Sequence, residues 1–260
     1  MLILFLKIFK TSFNFSTTLT LIVENHLIEF RVKSGIILPF LFFNEKEWIS
    51  KMTPKKKIKI AKVLSLVVII ASILVIIGWI FDISILKSLF PAWVSMKFDT
   101  AITFLLSGIT LYFIIRAVEG EVDKAPVALS ITTLIIILLM GILFFSALLG
   151  IHTGAESLFI QEASGAVKTV TPGRPSLPTM LNFILIALAG ILTMLNPEKV
   201  PLRLKIIGHV VGTTGALAIV GYIINAPLLY YFIEGRNSAM ACHTAILFVL
   251  FGTGLLCLSD

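Results

Sequence analysis

The sequence predicts an all-α membrane protein: six transmembrane helices, grouped as three repeated helical hairpins. Three observations predict it. Hydrophobic residues make up 58% of the 260-residue chain and charged residues only 13%, against about 25% charged in a water-soluble domain. Six separate stretches are apolar enough, and nearly long enough or longer, to cross a bilayer, which takes roughly 20 helical residues. A Thr–Phe–Gly pattern recurs at the start of every second stretch.

Taken in order, the first 51 residues hold no spanning segment. MLILFLKIFK and Ile36–Phe43 are too short. TSFNFSTTLTLIVENHLIEFRV alternates like a strand but has no partner strands. Met52 is followed by TPKKKIKIAK and then by the first good span. The expected start is therefore Met52, with residues 1–51 a poorly ordered tail or an upstream extension. Residues 52–260 form the six-helix transmembrane domain. Its spans are Val63–Phe81, Thr100–Ile115, Val127–Leu149, Leu177–Leu195, Ile206–Ile224 and Ala241–Leu258. Cys242 and Cys257 share one apolar segment and read as small packing residues rather than as a disulfide or metal pair.

Orientation follows from the basic residues between spans. Lys55, Lys56, Lys57, Lys59, Lys62, Arg116, Lys124, Lys199, Arg203 and Lys205 lie on one side. Lys87, Lys97, Lys168, Arg174 and Arg236 lie on the other. The ratio of about ten to five assigns the first side to the cytoplasm, and an even number of spans puts both termini there, in the cell membrane. Trp79, Trp93, Tyr222, Tyr230 and Tyr231 fall at the outer ends, where an interfacial aromatic belt belongs.

The even spans begin alike. Thr100, Phe104 and Gly108 recur as Thr179, Phe183 and Ala187, and again as Thr244, Phe248 and Gly252. Met96 and Met240 precede their threonines by four, and Ala101 and Ala245 follow directly. Positions i, i+4 and i+8 share one helix face. Thr suits a helix start, Phe fills a groove, and Gly or Ala admits a neighbouring helix. The odd spans end at Asp82, Gly150 and Asn225. From these to the three threonines is 18, 29 and 19 residues, so the middle hairpin carries a longer loop.

The blocks Trp93-Val94-Ser95-Met96 before Thr100-Ala101, and Met240-Ala241-Cys242-His243-Thr244-Ala245, resemble those of a multi-helix membrane input region. Such regions precede PAS, histidine-kinase or diguanylate-cyclase modules in archaeal and bacterial signalling proteins. The resemblance covers roughly Lys59 to Leu258. It implies a sensory or anchoring role, with a signal passed along the last helix to a cytoplasmic output domain or protein. The residues after the sixth span, Leu258-Ser259-Asp260, hold no output module. The chain is thus expected to be a truncated remnant or to work with a separate partner.

Other chemistry is sparse. His209 and His243 lie on adjacent spans but near opposite ends, so they read as an interfacial and a helix-capping histidine rather than a shared ligand pair. Asp82, Asp99, Glu156, Glu162, Lys168, Arg174, Glu234 and Arg236 read as a solvated outer rim, and no span is expected to bury a charged residue. Gly208-x-x-x-Gly212 fits a small-residue packing motif. There is no nucleophile–base pair, metal-ligand spacing or phosphate loop, so no enzyme, cofactor, metal or nucleic-acid partner is expected. Lipid is the expected partner, a homo-oligomer is compatible with the pattern, and a small transporter or channel subunit is the alternative function. Reporter fusions after Asp260 and within Gly150–Arg174 should report opposite sides of the membrane. The same side for both would contradict the topology.

Overall fold

The computed structural model describes residues 18–23, 26–31, 52–121, 123–195 and 200–259. The chain divides into two compact units, Met1–Glu45 and Lys46–Asp260. In the first, β1 (Thr18–Val23) and β2 (His26–Arg31) pair antiparallel, from Thr18↔Arg31 to Val23↔His26. The stretch expected to lack partner strands therefore supplies its own. Alternation reveals the strand period but not a reversal of the chain within it. The rest of residues 1–51, and with it the expected poor order there, lies outside the described residues.

The second unit contains all six expected helices: α1 (Pro54–Ile80), α2 (Phe98–Val118), α3 (Ala125–Leu149), α4 (Leu177–Leu195), α5 (Val200–Ile223) and α6 (Cys242–Leu256). Five are long and apolar enough to cross a membrane, and α6, at 15 residues, is a shorter apolar helix. Pro54 starts α1, where a missing N–H costs nothing. The helix therefore begins well before Val63 and carries the lysine cluster on its first turns. At 27 residues it is about 40 Å long. Large apolar side chains cover the outside of the bundle. Leu66 and Ile70 on α1, and Ile131, Leu138 and Phe145 on α3, are all about half exposed or more. Leaving such side chains in water forfeits about 1.5–3 kcal/mol each. A surface made of them belongs in lipid.

Each hairpin pairs an odd helix with the following even one, and neighbouring hairpins contact each other in a ring that closes through α1 and α6. The even helices are the inner ones. Half of the apolar window is buried in α2 and in α4, against 28% in α1 and 39% in α3 and α5. On the axis the rings of Phe104, Phe183 and Phe248 meet, with centroids 4.7, 4.8 and 5.1 Å apart. All three side chains are fully buried.

The odd helices end alike. Asp82, Gly150 and Asn225 adopt left-handed conformations, with φ of 54, 66 and 54°. The next N–H donates five residues back in each case, Ile83 to Gly78, Ile151 to Ser146 and Ala226 to Gly221, at 2.8–3.1 Å. This is one helix-ending motif made three times, with the residue types that best tolerate a left-handed turn.

Small residues set the spacing within hairpins. A Cβ at Gly252 would lie 2.7 Å from the Gly208 carbonyl oxygen and 2.8 Å from Gly212 Cα. A Cβ at Gly108 would lie 2.6 Å from Ile69 Cγ1 on α1, and Ser65 Oγ donates to the Gly108 carbonyl at 2.9 Å. In the middle hairpin Gly190 takes this place against Thr133 of α3. Buried hydroxyls of Ser72, Thr103, Ser107 and Thr193 donate to carbonyls four residues back in their own helices.

Two substitutions should separate packing from polarity. Gly252→Ala meets backbone on α5 and should destabilise by about 1–3 kcal/mol. Phe183→Ala should cost roughly 3 kcal/mol through the cavity it leaves. Thermal unfolding in detergent checks both. Wild-type melting in either variant would contradict these contacts.

Candidate functional site at the loop end of the bundle

The inner helices all begin at the same end, beneath the three connecting loops. The repeat-motif residues line these starts. Thr100, Thr179 and Thr244 are buried, as are Met96, Ala101, Ala187, Met240 and Ala245, and Gly108 and Gly252 lie inside with them. The threonines are not the caps. Ser176 caps α4, its Oγ accepting from Thr179 N at 3.4 Å and bonding Thr179 Oγ1 at 2.7 Å. The first and third loops are tied down identically. Trp79 Nε1 donates to the Met96 carbonyl and Tyr222 Oη to the Met240 carbonyl, both at 2.8 Å. Met96 N and Met240 N in turn donate to the Lys87 and Tyr230 carbonyls, both at 2.9 Å. Trp93 lies 4.9 Å from Tyr222, which stacks on the buried Tyr230 at 4.3 Å. These aromatic side chains, at the helix ends where the sequence places an interfacial belt, stitch loops to helices.

The middle loop carries the charged chemistry. Lys97, just before α2, donates to Glu162 Oε1 at 2.5 Å and to Thr169 Oγ1 at 2.7 Å. Glu162 also accepts from Ser95 Oγ at 3.2 Å and Gly173 N at 2.7 Å. Both side chains of the pair are about 95% buried, with 4% and 5% exposure. Arg174 grips Glu156 and donates to Ser146 Oγ at 2.8 Å and the Ile151 carbonyl at 2.6 Å. Toward the third hairpin, Val170 N donates to Ser238 Oγ and Ala239 N to the Lys168 carbonyl, both at 3.0 Å, and Lys168 bonds Tyr230. One loop thus joins all three hairpins. Beside Arg174, a recess of about 30 Å³ lies among Thr171, Arg236, Asn237 and Ser238, room for roughly one water.

Burial pushes the Lys97 ammonium below its ordinary range, opposed by the neighbouring Glu162. Burial also opposes ionisation of Glu156, but hydrogen bonds from Arg174 and Ser146 outweigh it and hold the carboxyl below its usual 4.5. At the exposed rim, hydrogen bonding and charge from Lys87 hold Asp82 low.

Several expectations need correction. Asp99, Glu156 and Glu162 are buried rather than solvated, because the middle loop folds over them. The observed helices start earlier than the expected spans, and these added first turns bury Asp99 on α2 and Lys57 on α1. His243 caps nothing: neither ring nitrogen has a hydrogen-bond partner. Asp99 Oδ2 and Asn182 Nδ2 are likewise buried without one. These three residues come from three different inner helices. His209 lies about 20 Å of helical rise from the loop end of α5 and does not join His243. Among the described residues, no three His, Cys, Asp or Glu side chains converge as a metal site requires.

Compared with family models, curated proteins and solved structures, the chain matches none.

Glu162→Gln leaves Lys97 buried without its counter-charge and should destabilise by about 3–5 kcal/mol. Adding Lys97→Met should recover part of that loss. Glu156 has a depressed carboxyl, so its stabilisation is complete above pH 4.5 and is lost as pH falls through its lower folded value. Protection factors of the amides in 151–176, referred to the intrinsic exchange rate at each pH, should therefore fall in acid, and should fall less in Glu156→Gln. Equal acid sensitivity in the two proteins would contradict the assignment.

Proposed function

We propose that the chain is an integral membrane sensory or input module of a signal-transduction system, with its loop end outside the cell and its termini in the cytoplasm. The observation that carries this reading is the buried polar network in which the middle loop is bonded to the start of α2 through Lys97 and Glu162 and to the third hairpin through Ser238. A perturbation of that loop acts directly on an inner helix that runs the length of the bundle. The centre favours a relay over a conduit, since three buried phenylalanine rings fill the axis. The output is a cytoplasmic signalling domain or protein reached from the lysine end.

A small transporter or channel subunit is the second reading. It rests on the unpartnered polar atoms of Asp99, Asn182 and His243, since intramembrane polar groups mark transport paths. One experiment divides the two. Spin labels at Lys59 on α1 and Leu202 on α5 report the lysine end of the bundle in proteoliposomes. The sensory reading expects Glu162→Gln at the opposite end to shift the distance between them. An unchanged distance, together with solute flux through the proteoliposomes, would favour transport and overturn the sensory reading.

A further inference from the structure

We propose that the middle loop docks on the bilayer itself, with Ile151, Leu158 and Phe159 seated among lipid at the membrane interface. The inference rests on the membrane-spanning reading of the helices and not on the sensory role. The loop is built inside out for a segment surrounded by water. Between residues 151 and 167 the only carboxylates are Glu156 and Glu162, and there is no Lys or Arg. Both carboxylates point inward at 7% exposure, matched by Arg174 and Lys97. The large apolar side chains point outward, with Leu158 63% and Phe159 49% exposed. The outer face of this segment therefore carries these apolar side chains with the uncharged polar groups of Thr153, Ser157, Gln161 and Ser164 and the His152 imidazole, but no exposed carboxylate, Lys or Arg. That arrangement is unfavourable against water and favourable against the head-group and acyl boundary, where aromatic side chains also concentrate.

The second observation is continuity with the lipid-facing surface of α3. Phe145, Leu148 and Leu149 are exposed on its last turns, and Ile151 follows one residue after Gly150. The left-handed turn at Gly150, with Ile151 N bonded to Ser146, bends the chain back across the helix end. Phe159 then rests against Phe98, the first residue of α2, at 5.9 Å between ring centroids. That contact sets the loop at the level where α2 enters the apolar zone. The first and third loops also expose large apolar side chains, Ile85 and Phe90 in the first and Ile233 in the third, but they carry exposed charge beside them at Asp82, Glu234 and Arg236.

The test uses the full chain in phosphatidylcholine vesicles, with Cys242 and Cys257 replaced by alanine. A nitroxide is attached at Leu158→Cys, Phe159→Cys or, as a water-facing control, Glu234→Cys. Collision with oxygen should exceed collision with a water-soluble nickel chelate severalfold at 158 and 159, and the order should reverse at 234. Nickel access at 158 and 159 equal to that at 234 would place the loop in water and overturn the proposal. Exclusion of both reagents with spin–spin broadening would show that a second copy covers the loop, and would overturn it too. If the cysteine-free chain does not fold, a diazirine-bearing phospholipid photolysed with the native chain gives the same answer. Adducts are expected within 158–159 as well as on α3. Adducts on α3 without any on the loop would contradict the inference.

Discussion

The contact of Phe104, Phe183 and Phe248 on the bundle axis is the interaction on which the rest of the structure depends. Within lipid, one apolar surface gains little from meeting another, so helices associate through close packing and hydrogen bonds. Three rings in edge and tilted contact supply packing that lipid chains cannot reproduce, at roughly 0.5–1.5 kcal/mol per pair beyond burial. Their near-equal separations fix the spacing of the three even helices. Each odd helix is then drawn in where its partner lacks a side chain: α1 over Gly108, α3 over Gly190 and α5 over Gly252. The lipid-facing surface follows, because the odd helices are left with one buried side and one broad apolar face.

The three-part symmetry breaks at the loop end, and the chemistry collects where it breaks. The first and third loops repeat one design, an aromatic side chain at the helix end donating to a methionine carbonyl. The middle loop is longer and replaces that aromatic bond with charged ties from Lys97 and Arg174. Those ties bury Glu156 and Glu162 and turn the loop's apolar side chains outward. Desolvating these ions is costly, and their mutual attraction offsets that cost only in the closed arrangement. The loop is therefore held in one geometry by few, strong and specific contacts. That is the property the proposed sensory role uses.

Much of the bundle was legible in the sequence because lipid imposes simple demands. Span number, span positions and the i, i+4, i+8 stripe of Thr, Phe and Gly follow from apolar length and helical period. Asp82, Gly150 and Asn225 even announced the three identical helix ends by residue type. What was not legible was the assignment of even helices to the inside, since α2 and α3 are both apolar enough to cross a membrane and apolar length does not say which faces meet neighbours. The candidate site was hidden for a related reason. Asp99, Glu156 and Glu162 look like an ordinary polar rim until the middle loop is folded over them, and Lys97, the partner of Glu162, lies 65 residues from it in sequence. The pairing of β1 with β2 escaped because alternation carries no information about where a chain reverses.

The central claim is that the three even helices meet at their phenylalanines. Cysteine pairs replacing Phe104 and Phe183, Phe104 and Phe248, or Phe183 and Phe248, in a chain lacking Cys242 and Cys257, test it directly with a short bifunctional thiol reagent in native membranes. The structure requires all three pairs to cross-link within one chain, at comparable rates and faster than a pair made between Phe104 and a lipid-facing position such as Leu138. Cross-linking of one pair alone, or of none faster than the Leu138 control, would contradict the account.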